Sequence, residues 1–331
     1  MAGPDLIRIV ACLCVILIHV SCQGFYSFSD YWKTCVKFDA AARLAVPLFF
    51  ILSGYFLFTD KPPMALGHFL KRRFSRILLP LLLTFVIYLF VRHWTVADWI
   101  SRIFRGDVNF HLWFMYALVG LYLTVPLFQH LFTTQEGVRL VGYYVVLWFA
   151  AAVVFACVRQ YYGWSIDPFG RFNFHYFMGF MGFFFLGGLL RRVKFFVWQR
   201  WCSALVCVLA TWCIYRFTKS WSLQLGKPDE LFFGNLSPFV VLQAVSFFAA
   251  VKDVEFQSRV LTFTAEHTYW IYLVHMLAMG VVQKYTGLYV NAHTALNISL
   301  ITVLTFGLAF AASVPLYWLE KQVVRLLRLH C

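Results

Sequence analysis

Residues 6–24 read LIRIVACLCVILIHVSCQG, an almost unbroken apolar run that contains Arg8 and His19. About 20 consecutive apolar residues are enough for a helix to cross the hydrocarbon core of a bilayer. The run therefore predicts that the chain enters a membrane with its first helix. A polar or charged side chain inside such a helix is costly, so Arg8 and His19 each call for an explanation.

The composition of the whole chain also indicates a membrane protein. Of its 331 residues, 62% are hydrophobic and 13% are charged, whereas soluble domains carry about 25% charged residues. The net charge is +14, and the Lys and Arg residues lie between apolar runs. This pattern favours anionic lipid and phosphate-bearing small molecules as partners, and no nucleic acid is expected.

The apolar runs predict an all-α, polytopic fold with about ten transmembrane helices. The predicted spans are residues 6–24, 44–58, 77–91, 110–132, 138–158, 175–190, 201–217, 232–251, 268–285 and 295–319. Lys and Arg are in excess in the loops on the side of the N-terminus, which favours an N-in, C-in orientation. We expect one membrane-embedded domain over residues 1–331, without a separate soluble domain.

The first helix predicts a polar passage. Arg8 and His19 are separated by eleven positions, so they lie on one helical face, about 16 Å apart along the axis. Asp5 is close enough in sequence to pair with Arg8. We expect both side chains to face one shared passage, with a cation near the inner surface and an imidazole deeper in the membrane. The structural alternatives are an arginine that extends to the headgroups and a histidine that only packs.

A second motif precedes the third span, where residues 69–80 read FLKRRFSRILLP. Arg73 and Arg76 are three positions apart and share one helical face. Guanidinium groups bind phosphate oxygens in pairs, which suits an anionic ligand. The alternative is that they anchor the helix at the cytoplasmic surface.

Two further histidines lie in predicted spans, His111 at the start of the fourth and His275 in the middle of the ninth. With the N-terminus inside, both could reach the half of the bundle that holds His19. The Asp and Glu residues all fall in loops or at span ends, which argues against proton- or sodium-coupled transport. No metal site is expected. Ser53 and Gly54 predict a close helix contact within the second span.

These motifs together resemble acyltransferase family 3, the integral membrane O-acyltransferases of bacterial cell surfaces. Asp5-Leu-Ile-Arg8, ten residues and then His19 are similar to the first-helix signature of that family. Further similarities, in the same order along the chain, are residues 46–55 to its second helix, 72–76 to its R-x-x-R segment, 111–114 to its fourth helix and 269–275 to its penultimate helix.

The resemblance implies transfer of an acyl group, usually acetyl, from acyl-CoA to a hydroxyl of a cell-surface or lipid-linked glycan. It implies a bacterial inner-membrane protein, with acetyl-CoA as a donor substrate and no permanently bound cofactor. Arg8 and His19 take the place of the family's catalytic pair, and Arg73 and Arg76, with Arg8, that of its donor-binding arginines. We expect His111 and His275 on the acceptor side.

The role of His19 stays open between general base and acyl relay. Two other functions also remain open from the residues alone. One is a transporter or flippase of a lipid-linked glycan or small anion, with Arg8 binding the cargo. The other is a noncatalytic membrane scaffold, which gives the intramembrane Arg8 and His19 no evident use.

Overall fold

The computed structural model describes residues 2–165, 179–291 and 293–326, and these ranges contain helices and no strand. The α-helices are α1 (Ala2–Phe25), α2 (Trp32–Ala42), α3 (Ala45–Leu57), α4 (Leu66–Arg73), α5 (Leu79–Val91), α6 (Val96–Arg105), α7 (Trp113–Phe128), α8 (Gln135–Trp148), α9 (Ala156–Tyr162), α10 (Met181–Arg192), α11 (Val197–Leu225), α12 (Pro238–Val251), α13 (Arg259–Thr286) and α14 (Thr294–Leu326). Short π-helical segments at Phe74–Leu78 and Phe149–Phe155 and 3-10 turns at Phe110–Leu112 and Gln129–Phe132 join some of them.

The all-α, multi-pass fold predicted from the sequence is confirmed. Within the described ranges, seven helical stretches are long and apolar enough to cross a membrane: Ala2–Phe25, Trp32–Leu57, Leu66–Val91, Phe110–Phe132, Gln135–Tyr162, Val197–Leu225 and Thr294–Leu326. Pro238–Val251 is apolar but shorter. Each predicted span overlaps a helix, although the span at 175–190 begins outside the described residues.

The helix that carries His275, α13, lies inside the bundle. It packs against α1, α5 and α14, and the indole N–H of Trp270 donates to a carboxylate oxygen of Glu320 on α14 at 2.6 Å. Much of α13 is buried, including His275 itself. The side chain of His275, at the centre of this helix, is therefore surrounded by protein, as polar residues within membrane spans usually are.

The second span starts earlier than the sequence predicts, because α2 precedes α3 with only a short turn between them. The apolar pattern of α2 is interrupted by Asp39 and Arg43, and the two side chains neutralise each other. The Nε and Nη2 atoms of Arg43 donate to the two carboxylate oxygens of Asp39 at 2.8 and 2.7 Å. Both side chains are buried, and a paired, doubly hydrogen-bonded arrangement makes such burial tolerable.

This ion pair belongs to a polar cluster between α1, α2 and the segment before α12. The Sγ of Cys22 donates to Asp39 at 3.7 Å, and the hydroxyl of Tyr26 donates to Glu230 at 2.5 Å. Burial and this hydrogen bond raise the pKa of the Tyr26 phenol. The hydrogen bonds of this cluster hold α2 against α1 and the segment before α12.

Close contact between α3 and α10 depends on glycine. A Cβ atom at Gly54 would lie 1.9 Å from the carbonyl oxygen of Phe184, and one at Gly187 would lie 1.9 Å from that of Ile51. Only residues without a side chain let the two backbones approach this far. The small-residue contact predicted at Ser53 and Gly54 is thus confirmed for Gly54.

The two chain ends of the described bundle lie at the same end. The backbone N–H of Gly3 donates to the carbonyl of Val254 at 3.0 Å, and Arg8 and Arg325 line one cavity. Lys252 donates from its ammonium to the carbonyl of Val193 at 2.5 Å. We call this the basic end of the bundle, since Arg8, Lys61, Arg72, Arg73, Arg76, Lys252, Lys321 and Arg325 gather there.

Candidate active site

A cavity of about 640 Å³ lies at the basic end, between α1, α3, α4, α7 and α13. Five basic residues line it, namely Arg8, Lys61, Arg72, Arg73 and Arg76, and its described lining contains no Asp or Glu. Aromatic and aliphatic side chains form most of the rest of the wall, together with the polar residues Ser53, Thr59, Gln129 and Thr268. We call it the basic cavity; a concave site with converging cations and apolar walls suits an anionic, partly apolar ligand.

Arg8 lines this cavity. Its Nη1 atom lies 3.3 Å from a carboxylate oxygen of Asp5, the pairing expected from their spacing. The guanidinium lies over the ring of Phe56, with its carbon 4.8 Å from the ring centroid. The ion pair and the ring hold the cation in place along the cavity wall.

Arg73 and Arg76 reach the same cavity. The guanidinium of Arg73 lies between the rings of Phe69 and Tyr122, 5.2 and 5.3 Å from their centroids. Arg76 belongs to the π-helical segment Phe74–Leu78, which precedes Pro80, a residue without an N–H for a regular helical bond. The sequence places these two arginines together, and the structure brings both to one wall beside Arg8.

Most of this positive charge has no paired carboxylate in the part of the chain that the structure describes. Among the described residues, Lys61, Arg72, Arg73 and Arg76 make no ion pair with a carboxylate. The buried Nε atoms of Arg72 and Arg73 also have no hydrogen-bond partner there. Unpaired guanidinium donors that converge on a cavity are suited to phosphate oxygens.

A neighbouring cavity of about 660 Å³ has a different character. It shares Arg8 and Arg76 with the basic cavity but also contains Glu266 and Glu320. The two signs of charge in its wall make it less suited to a polyanion. The basic cavity is therefore the better candidate for a phosphate-bearing ligand.

Three histidines meet in the interior, from α1, the turn Phe110–Leu112 and α13. The ring of His275 stacks on His19 with centroids 5.2 Å apart and lies 4.8 Å from the ring of His111. The rings of His19 and His111 are 6.3 Å apart. His111 and His275 are buried and His19 is partly exposed. We call this group the histidine cluster; each of its rings lies beside the other two.

Hydrogen bonds indicate which ring nitrogens are free to accept a proton. The Nδ1 of His275 lies 2.6 Å from the carbonyl oxygen of Tyr272, so this nitrogen carries the hydrogen. The Nδ1 of His111 lies 3.0 Å from the side-chain oxygen of Asn109, whose amide nitrogen donates to Tyr88. In both rings Nε2 is buried, and that of His275 has no partner among the described residues. When the His275 ring is neutral with its hydrogen on Nδ1, Nε2 keeps an unshared lone pair.

Tyr272 stands between the basic cavity and the histidine cluster. It lines the cavity, and its hydroxyl donates to the backbone carbonyl of His111 at 2.5 Å. Its ring centroid lies 5.8 Å from that of His111 and 5.7 Å from that of His275. Phe49 and Phe114 line the cavity as well, and their ring centroids lie 6.2 and 5.6 Å from that of Tyr272.

The structure does not show the continuous polar passage expected between Arg8 and His19. Arg8 lines the basic cavity and His19 does not. We call the layer that ends the cavity, Phe49, Phe114 and Tyr272, the aromatic partition. The spacing of Arg8 and His19 predicts that they share one helical face. It gives no information about the side chains that other helices insert between them.

Sequence reasoning missed Tyr272, Asn109 and Lys61. Tyr272 lies one turn before His275 on the same helical face, and Asn109 lies two residues before His111. Proximity to a candidate histidine is the signal that would have found both. Lys61 lies in a loop, and nothing in its local sequence distinguishes it from other loop lysines.

Comparison with known proteins identifies the family of the chain. Residues 1–318 match a family model described as an acyltransferase domain, a range that includes the basic cavity, the aromatic partition and the histidine cluster. No curated protein and no solved structure matches the chain. The chain therefore belongs to acyltransferase family 3.

Proposed function

We propose that this membrane acyltransferase moves an acyl group, specifically acetyl, from acyl-CoA to a hydroxyl of a cell-surface or lipid-linked glycan. The observation that carries the proposal is the position of Tyr272, which separates a cavity lined by five cations from three clustered histidines. One side suits a phosphate-rich donor, and the other suits proton transfer.

The donor occupies the basic cavity. Coenzyme A carries several phosphate groups and an apolar pantetheine arm, and the cavity offers five cations and a largely apolar wall. Arg73 and Arg76 bind phosphate oxygens through their guanidinium forks. Arg8, already paired with Asp5, supplies a further positive charge deeper along the same wall.

The acyl transfer takes place at the histidine cluster. His19 removes the proton from the acceptor hydroxyl, whose oxygen attacks the thioester carbonyl carbon. The new ester C–O bond forms, the C–S bond breaks, and the thiolate of coenzyme A leaves and takes up the proton from His19. The alternative is a relay in which the acyl group moves first to His19 and then to the acceptor hydroxyl. The net reaction is the same.

Transfer requires the aromatic partition to open. Tyr272 is held by one hydrogen bond to the carbonyl of His111, so displacement of its ring breaks that bond and joins the cavity to the histidines. The released hydroxyl then donates to the thioester oxygen, where negative charge develops during attack. This gives the partition a role in both access and stabilisation of the transition state.

We assign ten membrane crossings with both termini in the cytoplasm of a bacterium and the protein in its inner membrane. Helices α10, α12 and α13 add three crossings to the seven long apolar stretches. The start of α1 and the end of α14 share the basic end, and basic residues favour the cytoplasmic side. This orientation turns the basic cavity toward the compartment that supplies acyl-CoA.

The acceptor we propose is a bacterial envelope glycan. In its length and in the sequence of its second and fourth spans, the chain resembles the O-acetyltransferase of enterobacterial common antigen. A glycan of that kind is therefore the first acceptor to test.

The test is a transfer assay with purified protein in lipid nanodiscs, radiolabelled acetyl-CoA and a glycolipid extract from bacterial membranes. The proposal predicts label in glycolipid that alkaline treatment releases, as expected of an ester. Movement of unmodified glycolipid across vesicle membranes without labelling would instead identify a transporter. If neither labelling nor movement is observed, both functions are contradicted.

A further inference from the structure

A third cavity, of about 360 Å³, lies at the end of the bundle opposite the basic end. Its lining consists of Arg92, Trp94, Val108, Asn109, Phe110, Met276 and Leu277. These residues come from the turn after α5, the segment before the Phe110–Leu112 turn and the middle of α13. We call it the Trp94 cavity.

None of the three histidines lines this cavity, but two of its wall residues, Asn109 and Phe110, contact the histidine cluster. The ring of Phe110 packs edge-on against His19, with centroids 5.1 Å apart. Asn109 accepts the hydrogen bond from His111. Met276 and Leu277 follow His275 in the same helix. The walls of the cavity are thus the immediate neighbours of all three histidines, on the side away from the basic cavity.

The lining of the Trp94 cavity differs from that of the donor site. It has one cation, Arg92, where the basic cavity has five. Trp94 and Phe110 offer aromatic surface, and Phe110 is 64% exposed. Arg102 lies over the ring of Trp94 with its guanidinium carbon 4.6 Å from the centroid, which holds that ring in position.

We infer that the Trp94 cavity binds the glycan acceptor and delivers its hydroxyl to His19 past Phe110. The inference rests on the proposed acyltransferase function and names the acceptor subsite. Sugar rings present C–H groups that pack on aromatic faces and hydroxyls that hydrogen-bond to amide and guanidinium groups. Trp94, Phe110, Asn109 and Arg92 supply both kinds of contact.

This arrangement brings the two substrates to the histidines from opposite sides. The thioester approaches through the aromatic partition, and the hydroxyl approaches through the Trp94 cavity. Substitutions in one cavity should therefore leave binding at the other unchanged. Such independence is a measurable consequence that a single common pocket would not give.

The kinetic test compares Phe110→Ala and Trp94→Ala with Phe104→Ala. Phe104 is 87% exposed on the nearby α6 and lines none of the three cavities, so it is a matched control. The first two variants should raise the KM for glycolipid about tenfold with an unchanged affinity for acetyl-CoA, while the control stays near wild type. Unchanged KM values in both cavity variants would overturn the inference.

A binding test keeps the inference separate from catalysis. A photoreactive phenylalanine analogue is placed at position 110, 94 or 104 in protein that also carries His19→Gln, and sugar-labelled bacterial glycolipid is the probe. Crosslinking at 110 and 94 well above 104 supports the inference even if no acyl transfer is ever detected. Equal crosslinking at 104 overturns it, although the acyltransferase proposal would then stand on its own assay.

Discussion

The basic cavity and the histidine cluster lie on the two sides of Tyr272, yet they are built in opposite ways. Four of the five cations of the cavity make no ion pair with a carboxylate among the described residues, while Arg8 pairs with Asp5, and those four lie within or next to short loops and helix ends. The cluster contains two buried histidines brought together from distant segments. Under the proposed function, donor binding belongs to the first region and acyl transfer to the second, with the side chain of Tyr272 as their boundary.

This division predicts that the two regions control different kinetic parameters. Changes in the basic cavity should act on donor affinity, and changes in the cluster should act on the rate after binding.

Replacing both Arg73 and Arg76 with Gln should weaken acetyl-CoA binding about 100-fold or more, because each charged hydrogen bond contributes about 1.5–3 kcal/mol. Isothermal titration of protein in nanodiscs measures the affinity. The control is Arg102→Gln, which removes a cation at the opposite end of the bundle. An affinity equal to that of wild type would mean that these arginines only anchor the helix.

Replacing His275 with Gln should lower the transfer rate about 10- to 100-fold, since the imidazole stacked on His19 is lost from the reaction site. Acetyl-CoA affinity should not change, because His275 does not line the basic cavity. Single-turnover transfer of radiolabel measures the rate. If donor affinity falls as much as the rate, the two regions are not separate.

Replacing Tyr272 with Phe should reduce transfer about tenfold, the loss of one hydrogen bond that matters in the transition state. Tyr269→Phe is the matched control: Tyr269 lines the same cavity and donates to the carbonyl of Ile77 at 2.7 Å. Single-turnover rates of the two variants are compared. Equal rates would show that the hydroxyl of Tyr272 has no special part in transfer.

The sequence predicts the charged half of the site better than the buried half. Arg8, Arg73 and Arg76 could be grouped because helical spacing places them on faces at one membrane surface, where the bilayer leaves few other positions for charge. The histidines could be named as candidates because polar side chains are rare within apolar spans. Their mutual distances could not be predicted, since these depend on how α1, the Phe110–Leu112 turn and α13 pack.

The rest of the site depends on tertiary packing. Nothing in the sequence around Tyr272 says that its ring closes a cavity, and an unbroken passage was expected instead. The ion pair of Asp39 and Arg43 shows the same limit in the fold, because each residue alone interrupts an apolar pattern. The roles of Tyr272, Asp39 and Arg43 depend on the side chains that contact them, which come from other helices or from the next helical turn.

The central claim is that acyl-CoA binds at the basic cavity and reacts at His19 across Tyr272. The most direct measurement is the transfer rate and the acetyl-CoA affinity of His19→Gln, both determined on protein that elutes as wild type from a sizing column. We predict a rate lowered about 100-fold or more with an affinity within about twofold of wild type. Wild-type transfer by this variant would contradict the claim.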